Sequence, residues 1–150
     1  MVSFPDIIKI NFTNEANGEP VSDIAAKISL FANHKNDYNF ILPLSDQHGS
    51  ILITKKWLED KITSERNFFI MDYASDLNDC KPIFKLSLLD ANDLENTIDA
   101  MYLFQDSLKM TNAEIIKYQN AKNSIYKPIK KLYKVKRKEM NINIKLSLSE

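Results

Sequence analysis

Apolar and polar residues alternate with a period of two over most of the first ninety positions, then recur with a period near 3.6. Ile8, Ile10 and Phe12 alternate with Lys9 and Asn11, which predicts a half-buried strand over about residues 5–13. After a polar turn at 14–19, Pro20 suits a strand entrance or sheet edge, where its missing N–H breaks no ladder. A second strand over 23–32 puts Ile24, Ala26, Ile28 and Leu30 on one face. Residues 33–36 read as a loop. Tyr38, Phe40 and Leu42 alternate in a third strand closed by Pro43, and a turn at 46–49 leads into a fourth over 51–53. Thr54 is placed to cap a short helix over 55–64 that buries Trp57, Leu58 and Ile62. The run 67–71 predicts a buried fifth strand, 72–81 is polar, and 82–89 carries Ile83, Phe84, Leu86 and Leu88 in another strand.

Beyond residue 90, Leu94, Ile98, Met101, Phe104 and Leu108 form the stripe of a helix over about 91–109. Thr111-Asn112-Ala113-Glu114 fits a capping box opening a second helix, with Ile115, Tyr118 and Lys122 following and Pro128 ending or kinking it. Two readings compete over 129–139. Ile129, Leu132, Tyr133 and Met140 fit a basic amphipathic helix; Tyr133, Val135 and Arg137 fit a strand, which would make the terminus a β-hairpin and is the favoured form. Ile142, Ile144, Leu146 and Leu148 alternate with polar residues in a closing strand.

The chain's two glycines, Gly18 and Gly49, both fall in turns between alternating segments, where positive φ is needed. No Gly-rich loop is present to cradle a phosphate or dinucleotide. Gly18-Glu19-Pro20-Val21 before one strand, then Asp46-x-x-Gly49-x-Ile51-x-Ile53, resembles the transthyretin-like, or carboxypeptidase regulatory-like, β-sandwich family over about residues 7–55. That family shows a Gly or Asn soon after Pro-Val, where this chain has Ser22-Asp23. Its short versions lack counterparts of the helices at 55–64 and 91–125. The resemblance implies a non-catalytic sandwich used as an interaction or accessory module, and it transfers no catalytic residue.

Length and composition agree with one domain: 150 residues, 44% hydrophobic and 27% charged. A single cysteine, Cys80, cannot pair within the chain, which favours a reducing compartment. The opening residues 1–6 lack a cationic and apolar leader, so a cytoplasmic location is expected. No apolar run is long enough to span a bilayer.

The net charge is zero but unevenly spread: residues 127–138 hold seven cations and no acid. Lysines beside Tyr126 and Tyr133 suit phosphate contact with ring stacking, and they equally suit a solvated, blunted sheet edge. Only Arg66 and Arg137 are arginine, which argues against a dedicated bidentate phosphate reader. His34 and His48, with Asp37, Asp46 or Cys80, match no metal-ligand spacing. Cys80 beside a histidine is the weakest of nucleophile signals. The stretch 72–79 is acidic but lacks the glycine and twelfth-place glutamate of a calcium loop, so it reads as an Asx-rich turn. No Gly-x-Ser-x-Gly elbow occurs.

These features predict an α+β protein: an antiparallel, transthyretin-like β-sandwich over about 5–90, helices over about 91–125, and a terminal strand or hairpin over about 129–149. The expected role is non-catalytic docking of a protein partner by a small bacterial-type accessory protein, an immunity or conflict-system protein being one form. The contact candidates are Asp72, Asp76 and Asp79, or Lys127, Lys130, Lys131, Tyr133, Lys134, Lys136, Arg137 and Lys138. The alternative is a nucleic-acid-associated module using 127–138. No cofactor, metal, small-molecule site or membrane contact is expected.

Overall fold

Seven strands among the described residues form two sheets that face each other across one apolar core. The computed structural model describes residues 4–32, 37–68, 77, 80–103 and 111–149. The smaller sheet has the order β4-β1-β7, with β4 at Ser50–Thr54, β1 at Ile7–Asn14 and β7 at Met140–Leu146. The larger has the order β3-β2-β5-β6: Tyr38–Ile41, Ala26–Ala32, Cys80–Leu88 and Lys130–Lys134. Strict alternation decides what each sheet buries. Ile8, Ile10 and Phe12 of β1 meet Ile28 and Leu30 of β2, Phe84 and Leu86 of β5, and Ile142 and Ile144 of β7 in a single cluster.

The α+β sandwich read from the sequence is the architecture observed, with corrections in its pairing. It is not purely antiparallel. β1 and β7 run parallel, from Ile8 opposite Met140 to Asn14 opposite Leu146. The terminal hairpin is also overturned, because β6 belongs to the larger sheet and β7 to the smaller one. Between them residues 135–139 carry the chain across the sandwich, with Val135 buried on the way. A strand delivered by such a crossing has no tight turn to impose antiparallel pairing, so β7 enters alongside β1 in the same direction. On the outer face the Asn11 amide donates to the Asn141 and Asn143 side-chain oxygens at 2.7 and 3.1 Å. Its own oxygen accepts from the Ser50 hydroxyl at 2.7 Å. One side chain thus laces three strands and reinforces the register.

The turns that carried the family resemblance are built as one unit. Gly49 has φ +74°, and a Cβ there would stand 2.5 Å from the Phe12 carbonyl oxygen and 2.9 Å from the Val21 nitrogen. The Phe12 carbonyl accepts from the Val21 N–H at 3.0 Å, and the Phe12 N–H donates to the Gly49 carbonyl at 2.7 Å. Asp46 closes the turn, its carboxylate accepting from the His48 and Ser50 N–H groups at 2.9 Å each. The bond from Ser50 chiefly holds the Asp46 carboxyl below its ordinary range. Asp23, the second residue after Val21, adopts φ +60°. This left-handed conformation is one that Asp tolerates better than most residues.

Helix α1, Lys55–Phe68, starts at Thr54, whose hydroxyl accepts from the Trp57 N–H at 3.0 Å. Leu58 and Ile62 are buried, whereas Trp57 is half-buried and meets Phe40 edge-on at 6.4 Å. The fifth strand expected at 67–71 fails at its start, since Asn67 and Phe68 belong to α1; residues 69–71 lie outside the described residues. Helix α2 spans Ala91–Leu103, and the remainder of the helix expected to 109 lies outside them too. Helix α3, Asn112–Gln119, begins at Thr111 as the capping box predicts, with the Glu114 N–H donating to its hydroxyl. It stops well before Pro128 and gives way to a 3-10 turn at Asn123–Ile125. The two helices bury Met101, Ile115 and Tyr118 in a second cluster against Ala25 and Leu89.

Candidate interaction surface

The cationic stretch of residues 127–138 leads into, forms and leaves the edge strand β6. Phe84 pairs with Tyr133 and Leu86 with Lys131, so Tyr133 and Lys131 lie on the core side of the sheet. Ile83 pairs with Lys134, Lys85 with Leu132 and Ser87 with Lys130, so Lys130, Leu132 and Lys134 lie on the outer side. Lys127, Lys130, Lys131, Lys134, Lys136, Arg137 and Lys138 are all exposed. Among the described residues none of these seven cations makes an ion pair. Lys131 stays exposed despite its core-side position because β6 is the sheet edge.

Tyr133 behaves differently from its neighbours. Its ring stacks on Phe84 at 5.6 Å between centroids, and burial pushes its phenol up from the ordinary value. Tyr126 is likewise half-buried against the main core. Both rings are therefore committed to packing, and the surface they were expected to share with the lysines is cationic and aliphatic instead. Leu132, 65% exposed, is the apolar element on it.

Two surface residues were missed by reading the cations as one contiguous run. Lys27 of β2 faces Ser87, which faces Lys130, and Lys85 of β5 faces Leu132 on one side and Ser29 on the other. Lys27 and Lys85 thus share the outer face with Lys130 and Lys134. The signal for their facing was present, since each sits between buried residues at period two. Which strands are neighbours was not.

The acidic candidates Asp72, Asp76 and Asp79, and His34, lie outside the described residues. His48 is exposed in the 46–49 turn, and Cys80 is a buried thiol in the main core. Among the described residues no group of three or more His, Cys, Asp or Glu side chains comes together. No helix of the described residues is long and apolar enough to cross a membrane. Asp60 is paired with Lys56 at 3.0 Å on the exposed face of α1. A shallow cleft of about 330 Å³ lies between α2 and α3, with Leu94 and Ile98 on its wall and Glu95 and Asp99 beside them.

No protein-family model matches the chain, and no curated protein matches it. Among solved structures it is similar to a 5-hydroxyisourate hydrolase from Klebsiella pneumoniae, at 10% identity over 98% of this chain and 92% of that one, with a TM-score of 0.32. A likeness at that TM-score fixes neither family nor activity.

Proposed function

We propose that the protein is a non-catalytic binding module that docks a partner of negative charge through the cationic surface of β6 and the turn that follows it. The observation that supports this most directly is the set of seven exposed cations over 127–138 with no ion-pair partner among the described residues. Unpaired surface charge of one sign is an attractive field for an oppositely charged surface, and it speeds encounter. An accessory role in the cytoplasm, of which an immunity or conflict-system protein docked on an acidic protein is one form, fits this surface and the buried Cys80 thiol. Charge reversal off the sheet face tests the reading. Lys136→Glu, Arg137→Glu and Lys138→Glu together, in a protein with unchanged thermal midpoint, are expected to abolish capture of the partner retained by the unaltered protein. Equal capture by both overturns the reading.

A second form, a nucleic-acid-associated module, is favoured by one specific observation: two of the three lysines of β6, Lys130 and Lys134, join Lys27 of β2 and Lys85 of β5 on a single face.

A further inference from the structure

The four strands of the larger sheet carry six lysines, Lys27, Lys81, Lys85, Lys130, Lys131 and Lys134, and no carboxylate. Register places Lys27, Lys85, Lys130 and Lys134 on the outer face: Lys27, Ser87 and Lys130 in one row, Ser29, Lys85 and Leu132 in the next, Ile83 and Lys134 in the third. Strands lie about 4.8 Å apart and rise about 3.3 Å per residue, so Lys27 and Lys130 stand about 10 Å apart and Lys130 and Lys134 about 13 Å. Lys85 falls between them. None of the four is paired with an anion among the described residues.

Resting on the reading of β6 as a docking surface, we propose that the outer face of the four-stranded sheet binds the phosphate backbone of a nucleic acid, with Lys27, Lys85, Lys130 and Lys134 as the phosphate contacts. On this face Lys130 and Lys134 are exposed and Lys27 and Lys85 half-buried beside the buried Ser29 and Ser87, and like charges on strands without a carboxylate are complementary to a repeating polyanion. A protein partner's surface carries both signs, and the array offers nothing to its cations. The contacts are lysines, compact point charges on flexible stems, which neutralise phosphates without bidentate readout, so binding is independent of sequence. Leu132, 65% exposed in the same row as Lys85, gives a sugar or base an apolar surface to rest on.

The test is fluorescence anisotropy with labelled single-stranded DNA, single-stranded RNA and duplex DNA of equal length and mixed sequence. Four phosphate contacts give a single strand a log–log salt slope of about −3, so affinity is expected to fall about fifty-fold between about 50 and 200 mM salt. Lys27→Gln and Lys85→Gln are each expected to make the slope shallower by about 0.7 on every sequence, and the Lys→Arg pair at the same positions to restore it. The arm that binds most tightly identifies the strand type. Absence of binding to all three probes at low salt overturns the proposal, as does an unchanged slope in the folded glutamine variants. If the sheet variants bind normally while the Lys136, Arg137, Lys138 variant fails, the sheet face is excluded and the docking reading stands.

Discussion

The side-chain amide of Asn123 closes on both main-chain polar groups of Ala25. Its oxygen accepts from the Ala25 N–H at 2.8 Å, and its nitrogen donates to the Ala25 carbonyl at 2.7 Å. The same nitrogen donates to the Leu89 carbonyl, also at 2.7 Å. A buried side chain thus joins the entrance of β2, the exit of β5 and the turn after α3.

Replacing Asn123 takes the side-chain partner from the Ala25 N–H and the Leu89 carbonyl, while the Ala25 carbonyl keeps the Leu89 N–H at 3.1 Å. Asn123→Leu is expected to cost about 3–5 kcal/mol, read as a lower denaturation midpoint in urea, because each orphaned buried group costs about 1–3 kcal/mol. Asn123→Asp is expected to be worse at neutral pH, since it sets a carboxylate against two carbonyl oxygens, and to recover on acidification as the introduced carboxyl becomes a donor.

The two glycines are expected to differ sharply. Gly18 has φ +72° and open space around it, so Gly18→Ala carries only the left-handed penalty of about 1 kcal/mol. Gly49→Ala adds a collision with main chain of Phe12 and Val21, and a loss of about 2–5 kcal/mol is expected from strain and overpacking together. Equal thermal shifts in the two variants would refute the close approach at Gly49.

Asp23 holds φ +60° while its carboxylate sits 4.0 Å from the Lys122 ammonium. An exposed pair at that distance contributes a few tenths of a kcal/mol, less than relief of the left-handed penalty. Asp23→Gly is therefore expected to raise the thermal midpoint slightly and Asp23→Val to lower it.

Tyr118 donates its hydroxyl proton to the Leu42 carbonyl at 2.6 Å, and burial, with a smaller push from Glu114, raises its pKa to about 12. The folded state holds this proton more tightly than the unfolded chain, whose tyrosine titrates near 10. The stabilisation is complete below about pH 10 and is lost as pH rises toward 12, an amount of about 2–3 kcal/mol. Denaturation of the natural chain and of Tyr118→Phe is expected to converge over that window, and parallel curves would refute the assignment.

Much of the scaffold was legible because its cause is local. Alternation at Ile8, Ile10 and Phe12 names the buried face without reference to any partner, and Thr54 and Thr111 cap helices through hydrogen bonds within three residues. What was illegible depends on neighbours far along the chain. The alternation of 140–146 says that a strand exists but not that it joins β1 in parallel. Tyr133 reads as one more ring among lysines until Phe84 is beside it. Lys27 and Lys85 become part of a cationic field only when β2, β5 and β6 are set side by side. Asn123 looks like any polar loop residue, because the groups it satisfies lie up to 98 positions away.

The pairing of β1 with β7 also orders events in time. Asn11 and Asn141 are bonded across 130 positions of chain, and β1 is the central strand of its sheet. Contacts of such span close late, after the entropy of the intervening loop has been spent, and they slow folding. Until residues 140–146 arrive, the side of β1 that they will occupy has no strand against it, and for that interval the young chain offers a bare ladder of N–H and C=O groups to any extended segment nearby.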